Sequence, residues 1–268
     1  MRIFSIFTLL VCLIIPSHAN AARSVFKNEY ISAKLKMINQ GGKIPISGAL
    51  EVTLAPGWHT YWRIPGDSGL PPKFSWAESE NIKDVEISWP VPKRKKEYEF
   101  YTFAYERNMT LPLSITLDDK TKEAKLSLKA QIMICKDICI PQKFELATPF
   151  KLTNDVEKMK LHYALFPAKR ELKSLKINSI VAGKKQLIVN VMSDDGFEGL
   201  DVFPVIEEEF LGLALPPQIE ISEHDPKQAM VRISAPGDIK NLARHLNGKT
   251  LSVTLVHDDE AVEKSIQY

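Results

Sequence analysis

The chain has 268 residues, of which 44% are hydrophobic and 25% charged, with a formal net charge of +2. This is ordinary globular material, long enough for one large or two small domains. A charge so near neutrality argues against nucleic acid as a partner.

The opening residues read as a secretory signal over 1–21. Arg2 gives a positive start, Ile3 to Ile15 is an apolar run too short to span a bilayer, and Ala19-Asn20-Ala21 offers a small-x-small cleavage site. Of the three cysteines, Cys12 lies inside that run and would leave with it, so Cys135 and Cys139 would remain. Ala22, not a cysteine, follows the cleavage point, which speaks against a lipoprotein. No later segment is long and apolar enough to cross a membrane, and the mature chain is expected to be soluble. An even cysteine pair in an exported chain is expected to be able to oxidise.

Past the signal, β-structure is expected nearly everywhere. Ile44 to Leu54 and Lys125 to Ile134 place apolar residues at every second position, and Leu111 to Leu117 is a similar, shorter strand between polar turns. Between them, Lys93-Arg94-Lys95-Lys96 is followed at once by Glu97 and Glu99, which predicts a solvated loop rather than an anion site. Strands so spaced, with Pro and Gly between them, suggest an antiparallel sandwich. Along Leu126, Leu128, Ala130, Ile132 and Ile134 one face is apolar, and Cys135 continues the other, more polar set. Its sulfur would therefore point away from the core. Phe144, Leu146 and Phe150 give a returning strand, which makes Cys135 to Pro141 the crown of a hairpin.

The middle of the chain differs. Asn154 with Glu157 resembles a helix start, and Val156, Met159, Tyr163 and Phe166 could line one face of a short helix up to Pro167. Lys169 to Lys176 is charged and reads as a connector. Alternation then returns at Ile177 to Val181, Leu187 to Val191, Met230 to Ile233 and Leu251 to Val256. A helix is predicted from Asp238 to Leu246, closed by Gly248. This second half, without cysteine, is expected to form a smaller β-sandwich-like domain.

The pair in Cys135-Lys136-Asp137-Ile138-Cys139 is the chemical centre of the sequence. In an extended strand five residues would hold their end Cα atoms roughly 13 Å apart, and a disulfide needs about 4.4–6.8 Å, so the chain must bend there. As a staple it would contribute only about 2 kcal/mol, because the loop it closes is short. A turn-borne bridge beside charged residues is more readily one that opens and closes. A structural bridge remains an alternative, as does metal: two thiolates with Met133 nearby could hold Cu(I). Zinc is not expected, since it wants four ligands and His59 and His162 are remote in sequence.

The set Gly57-Trp58-His59-Thr60-Tyr61-Trp62-Arg63-Ile64-Pro65-Gly66-Asp67-Ser68-Gly69-Leu70-Pro71-Pro72, then Ser88-Trp89-Pro90, Leu111-Pro112 and Cys135-Lys136-Asp137-Ile138-Cys139-Ile140-Pro141 resembles the N-terminal domain of DsbD-like protein-disulfide reductases. The likeness is nearest the ScsB-like branch, which is associated with copper tolerance, and covers about residues 25–150. It implies an immunoglobulin-like domain, and together with the patterns above the chain is expected to be all-β: an immunoglobulin-like β-sandwich followed by a second, smaller β-sandwich-like domain with one or two short helices. With the readings above, the expected division is a signal peptide at 1–21, a redox domain at 22–152, a helical connector at 153–176 and a β-rich domain at 177–268. The likeness further implies a periplasmic thiol–disulfide exchange module with no cofactor. Cys135 and Cys139 would be the exchanging pair, Phe100 and Tyr101 an aromatic cap over them, and Tyr61 a neighbour. The implied partners are a membrane-embedded reductase of the DsbD, ScsB or CcdA kind, or a thioredoxin-like protein, together with oxidised periplasmic proteins. Two other readings stay open. One is a periplasmic Cu(I)-binding protein, and the other a non-catalytic binding module docking partners on Trp58, Tyr61 and Trp62 around a structural bridge.

Overall fold

A computed structural model describes residues 23–38, 46–151, 172, 174–258 and 260–268. The expected signal peptide, the helix expected between Asn154 and Phe166, and His162 lie outside the described residues. In the N-terminal half the strands are Val25–Lys27 (β1), Ile31–Ile38 (β2), Ile46–Leu54 (β3), His59–Gly66 (β4), Lys73–Ser75 (β5), Ile82–Ile87 (β6), Lys93–Glu97 (β7), Phe100–Glu106 (β8), Asn108–Leu117 (β9), Ala124–Cys135 (β10) and Cys139–Phe150 (β11). The C-terminal half has Leu175–Ala182 (β12), Gln186–Ser193 (β13), Asp201–Ile206 (β14), Leu211–Gly212 (β15), Gln218–Ile221 (β16), Gln228–Ser234 (β17), Thr250–His257 (β18) and Glu260–Gln267 (β19).

Each half is a pair of sheets. A sheet ordered β1-β2-β3-β9-β6 faces one ordered β11-β10-β4-β8-β7, with β5 added beside β10; the C-terminal sheets are ordered β12-β13-β17-β16 and β15-β14-β18-β19. The expected immunoglobulin-like, all-β architecture is thus what the chain adopts. Alternation is the cause: β9 buries every second residue from Met109 to Leu117, and β13 does so from Leu187 to Ser193. Leu50, Leu111, Leu126 and Ile132 fill the first core, and Leu187, Val189, Val231 and Val253 the second.

The two cores meet along β14. Its odd residues Phe203 and Val205 belong to the first core, and its even residues Val202 and Ile206 to the second. A strand covered on both faces needs apolar residues without interruption, which explains Val202-Phe203-Pro204-Val205-Ile206.

Three expectations are corrected. The basic run 93–96 is no solvated loop: it is strand β7, paired with β8, and only 8% of the Arg94 side chain is exposed. Arg94 is buried because it reaches Asp201 Oδ1 at 2.7 Å and the carbonyls of Val202 and Leu215, with its guanidinium against the rings of Phe103 and Phe203. The helix expected over 238–246 is confined to Leu242–His245. Asn241 caps it by accepting from the Arg244 backbone N–H, while Ile239 closes a turn back to Pro236 and so keeps the preceding residues out of the helix. Finally, Leu175 and Lys176, read as connector, already belong to β12.

Candidate functional site

Cys135 and Cys139 form a disulfide with Cα atoms 4.1 Å apart. They are the last residue of β10 and the first of β11, which run in unbroken register from Ala124↔Phe150 to Cys135↔Cys139. The hairpin crown is therefore only Lys136-Asp137-Ile138, shorter than the expected Cys135 to Pro141. Beyond the pair, the Lys136 N–H donates to the Ile138 carbonyl at 3.0 Å. The cysteines thus occupy a non-hydrogen-bonded site of the ladder, where facing residues come closest.

The two cysteines differ in access. Cys139 is exposed, and Cys135 is 2% exposed. Alternation does persist to the end of β10, so Cys135 points away from Ile134 and the first core. It is buried nonetheless because that face of the sheet has its own cover. Cys135 pairs with His59 of β4, and Ile134 with Thr60, whose hydroxyl donates to the Met133 carbonyl at 2.8 Å. His59 and Tyr61, two apart on β4, share the face with Cys135.

Tyr61 is 2% exposed, and its hydroxyl lies 3.1 Å from Cys135 Sγ, close enough to donate to it. Burial, reinforced by the charge of Glu97, pushes its phenol up to about 12, so it is a proton donor across the physiological range. The ring is roofed by the segment after β4. A Cβ on Gly69 (φ +97) would stand 2.4 Å from the Tyr61 ring, so only glycine fits. Asp67 ties this segment to β8: its N–H donates to the Tyr101 carbonyl at 3.0 Å, and its Oδ2 accepts from the Tyr101 N–H at 3.0 Å.

Beside the tyrosine lies a buried polar group that the sequence did not reveal. His59, 1% exposed, meets Tyr61 edge-on at 5.4 Å. Lys95 Nζ stands 2.8 Å from His59 Nδ1 and 3.0 Å from Glu97 Oε1. Since an ammonium only donates, Nδ1 accepts and the imidazole proton sits on Nε2, which is 3.1 Å from Glu97 Oε1 but out of line for a hydrogen bond. Burial lowers the basicity of His59, Glu97 and Glu106 oppose that, and Lys95 adds to it. The signal was available: if Tyr61 neighbours the pair, a residue two earlier on the same strand must lie on the same face.

The remaining candidates sit as follows. Phe100 is 52% exposed at the start of β8, beside Tyr98 in the β7–β8 turn. Tyr101 is partly buried against the first core, with Lys96 Nζ 5.8 Å from its ring centre. Trp62 is 1% exposed, packed against Phe103 and Phe203, and Trp58 leans on Tyr30 at 4.9 Å. Tyr61 and Trp62 thus present no open docking face. Among the described residues, no group of three or more His, Cys, Asp or Glu side chains is arranged to hold a metal ion.

Comparison with known proteins agrees with the motifs. Residues 32–151 match the family described as thiol:disulfide interchange protein DsbD, N-terminal. Residues 166–268 match a domain of unknown function (DUF8393). No curated protein matches the chain. Among solved structures, the chain is similar to the N-terminal periplasmic domain of ScsB from Proteus mirabilis, with 18% identity, a TM-score of 0.64, and coverage of 92% of this chain and 98% of that one. At that identity the likeness shows a shared fold, and residues 32–151 resemble DsbD N-terminal domains by the family match.

Proposed function

We propose that a chain whose first half matches the DsbD N-terminal family is a periplasmic thiol–disulfide exchange module, and that Cys135 and Cys139 are its exchanging pair. One observation carries the reading: an exposed cysteine is bonded to a buried one whose sulfur already has a hydrogen-bond donor beside it. The arrangement distinguishes an attacked atom from a leaving atom. A partner's thiolate reaches Cys139 Sγ, the Cys135–Cys139 bond breaks, and Cys135 leaves as a thiolate that accepts from the Tyr61 hydroxyl. The partner's second thiolate then attacks its own sulfur in the mixed disulfide and frees Cys139. Two electrons have passed to this chain, and the partner holds a disulfide.

Delivery runs in the opposite sense. The Cys139 thiolate attacks a disulfide of an oxidised periplasmic protein, and the Cys135 thiolate resolves the mixed disulfide by attacking Cys139 Sγ. The donor of electrons is a membrane-embedded reductase or a thioredoxin-like protein, which match what an outward-facing Cys139 requires: a partner presenting a reactive thiol. Phe100, at the tip beside Tyr98, is the residue we assign to shielding the reduced pair, and Asp67 and Tyr101 hold that tip to the roof over Tyr61.

The test is capture of mixed disulfides in cells. Cys135→Ser leaves Cys139 free and unresolved, so it should accumulate covalent adducts that dissolve in reductant. Cys139→Ser leaves only the buried sulfur and should accumulate few. Equal yields from both variants, or none from either, would refute the assignment.

A further inference from the structure

The C-terminal sandwich touches the redox site through backbone, and the contact is built on glycines. Gly66 ends β4 and Gly212 ends β15, and a Cβ on Gly212 would come within 3.0 Å of Gly66 Cα and 2.8 Å of the Phe103 ring. A Cβ on Gly66 (φ +90) would in turn stand 2.9 Å from Ala214 Cβ and 2.8 Å from the Tyr101 carbonyl. Interfaces in which two backbones meet with no side chain between them leave no slack. Here the contact falls at the root of the segment that roofs Tyr61: Gly66 leads to Asp67, held by Tyr101, and to Gly69, pressed on the tyrosine ring.

Both Gly66 and Gly69 adopt positive φ, so the roof is made from residues with the most backbone freedom to lose. Left to itself such a segment would sample many conformations. The C-terminal half packs on the root of that segment, and it is fastened firmly. Phe203 packs against Phe103 at 5.1 Å and Trp62 at 6.2 Å, Arg94 binds Asp201, and Arg63 Nη2 reaches Glu263 Oε2 at 2.7 Å.

We propose that the C-terminal domain is a brace for thiol–disulfide exchange: Gly212 and Ala214 fix the Gly66–Gly69 segment, which holds the Tyr61 hydroxyl against Cys135 Sγ. Gly212 is then a positioning residue that acts through Tyr61. This rests on the exchange function proposed above and assigns that function's second half a task within the same site.

The experiment measures the rate at which dithiothreitol reduces the disulfide of the full mature chain, and the thiolate absorbance of Cys135 against pH in the reduced state. Gly212→Ala should slow reduction about tenfold, the worth of one hydrogen bond to a charged leaving group, and raise the pH at which Cys135 ionises. Added to Tyr61→Phe, it should change neither quantity further, because the bond it disturbs is already gone. Gly48→Ala is the control: its Cβ would stand 3.0 Å from the Lys36 carbonyl, in the sheet that does not contain the cysteines, and it should leave both readings at wild-type values. Should Gly212→Ala not fold, Phe203→Leu loosens the same interface and should act in the same direction. A folded Gly212→Ala or Phe203→Leu protein with wild-type rates, or effects that multiply with those of Tyr61→Phe, overturns the brace while the exchange reading stands. A wild-type disulfide that dithiothreitol cannot reduce overturns both.

Discussion

The Tyr61 hydroxyl stands 3.1 Å from Sγ of the buried Cys135, whose disulfide partner Cys139 is exposed. A phenol hydroxyl in that place finds only a weak acceptor in a bridged sulfur. Its consequence appears when the bond opens, because a thiolate accepts more strongly than a bridged sulfur.

Removing that donor should therefore slow exchange without unfolding the protein. Tyr61→Phe keeps the ring under Gly69 and deletes one hydrogen bond to a leaving thiolate, so reduction by a small thiol should slow about tenfold. Stopped-flow kinetics with dithiothreitol measures it. A wild-type rate in the folded variant would remove Tyr61 from the chemistry.

The roof over Tyr61 admits no side chain at Gly69. Gly69→Ala would force a Cβ into the ring and an unfavourable φ on alanine, and should cost about 1–3 kcal/mol. Urea denaturation reads the loss. An unchanged midpoint would mean that the segment moves aside freely.

Shielding by Phe100 predicts the opposite kind of effect. Phe100→Ala removes a half-exposed side chain, so the fold should survive, and the reduced pair should be oxidised faster by hydrogen peroxide. Oxidation kinetics equal to wild type would remove the cap.

His59 makes stability depend on pH. Its folded basicity is depressed by burial below the ordinary 6.5, so the unfolded chain takes up a proton that the folded chain refuses. The stability that neutral His59 contributes is present above about pH 6.5 and is lost as the pH falls through the lower, folded value. Denaturation of wild type and His59→Asn over this range should show a stability difference that is constant above pH 6.5 and shifts in favour of the variant below it. A difference independent of pH would contradict the buried, neutral imidazole.

The junction between the halves should be costly to break. Asp201→Ala leaves the Arg94 guanidinium buried with backbone carbonyls as its remaining partners, and should destabilise the protein by about 3 kcal/mol. Chemical denaturation checks it, and a loss under about 0.5 kcal/mol would contradict the arrangement.

Much of the fold was legible because alternation is a local property: Leu111 to Leu117, Lys125 to Ile134 and Leu187 to Val191 are half-buried strands whose periodicity survives in the sequence. The strands that build the site were less legible. β4 reads His59-Thr60-Tyr61-Trp62-Arg63-Ile64, and both its faces are covered, which erases the polar half of the pattern. β7 reads as a charge run because Arg94 and Lys95 find their partners on the C-terminal half and on His59, at distances in sequence that no local pattern encodes. The cysteine pair was evident from spacing, but the inequality of its sulfurs was not. It depends on what Tyr61, His59 and Gly69 place over Cys135.

The most direct test of the central claim is the equilibrium reduction potential of the Cys135–Cys139 pair, taken from the fraction of disulfide in graded dithiothreitol buffers. An exchanging pair should titrate at a potential above about −300 mV. A midpoint far below that value would show a bridge that stays closed under physiological reductants and would contradict the account.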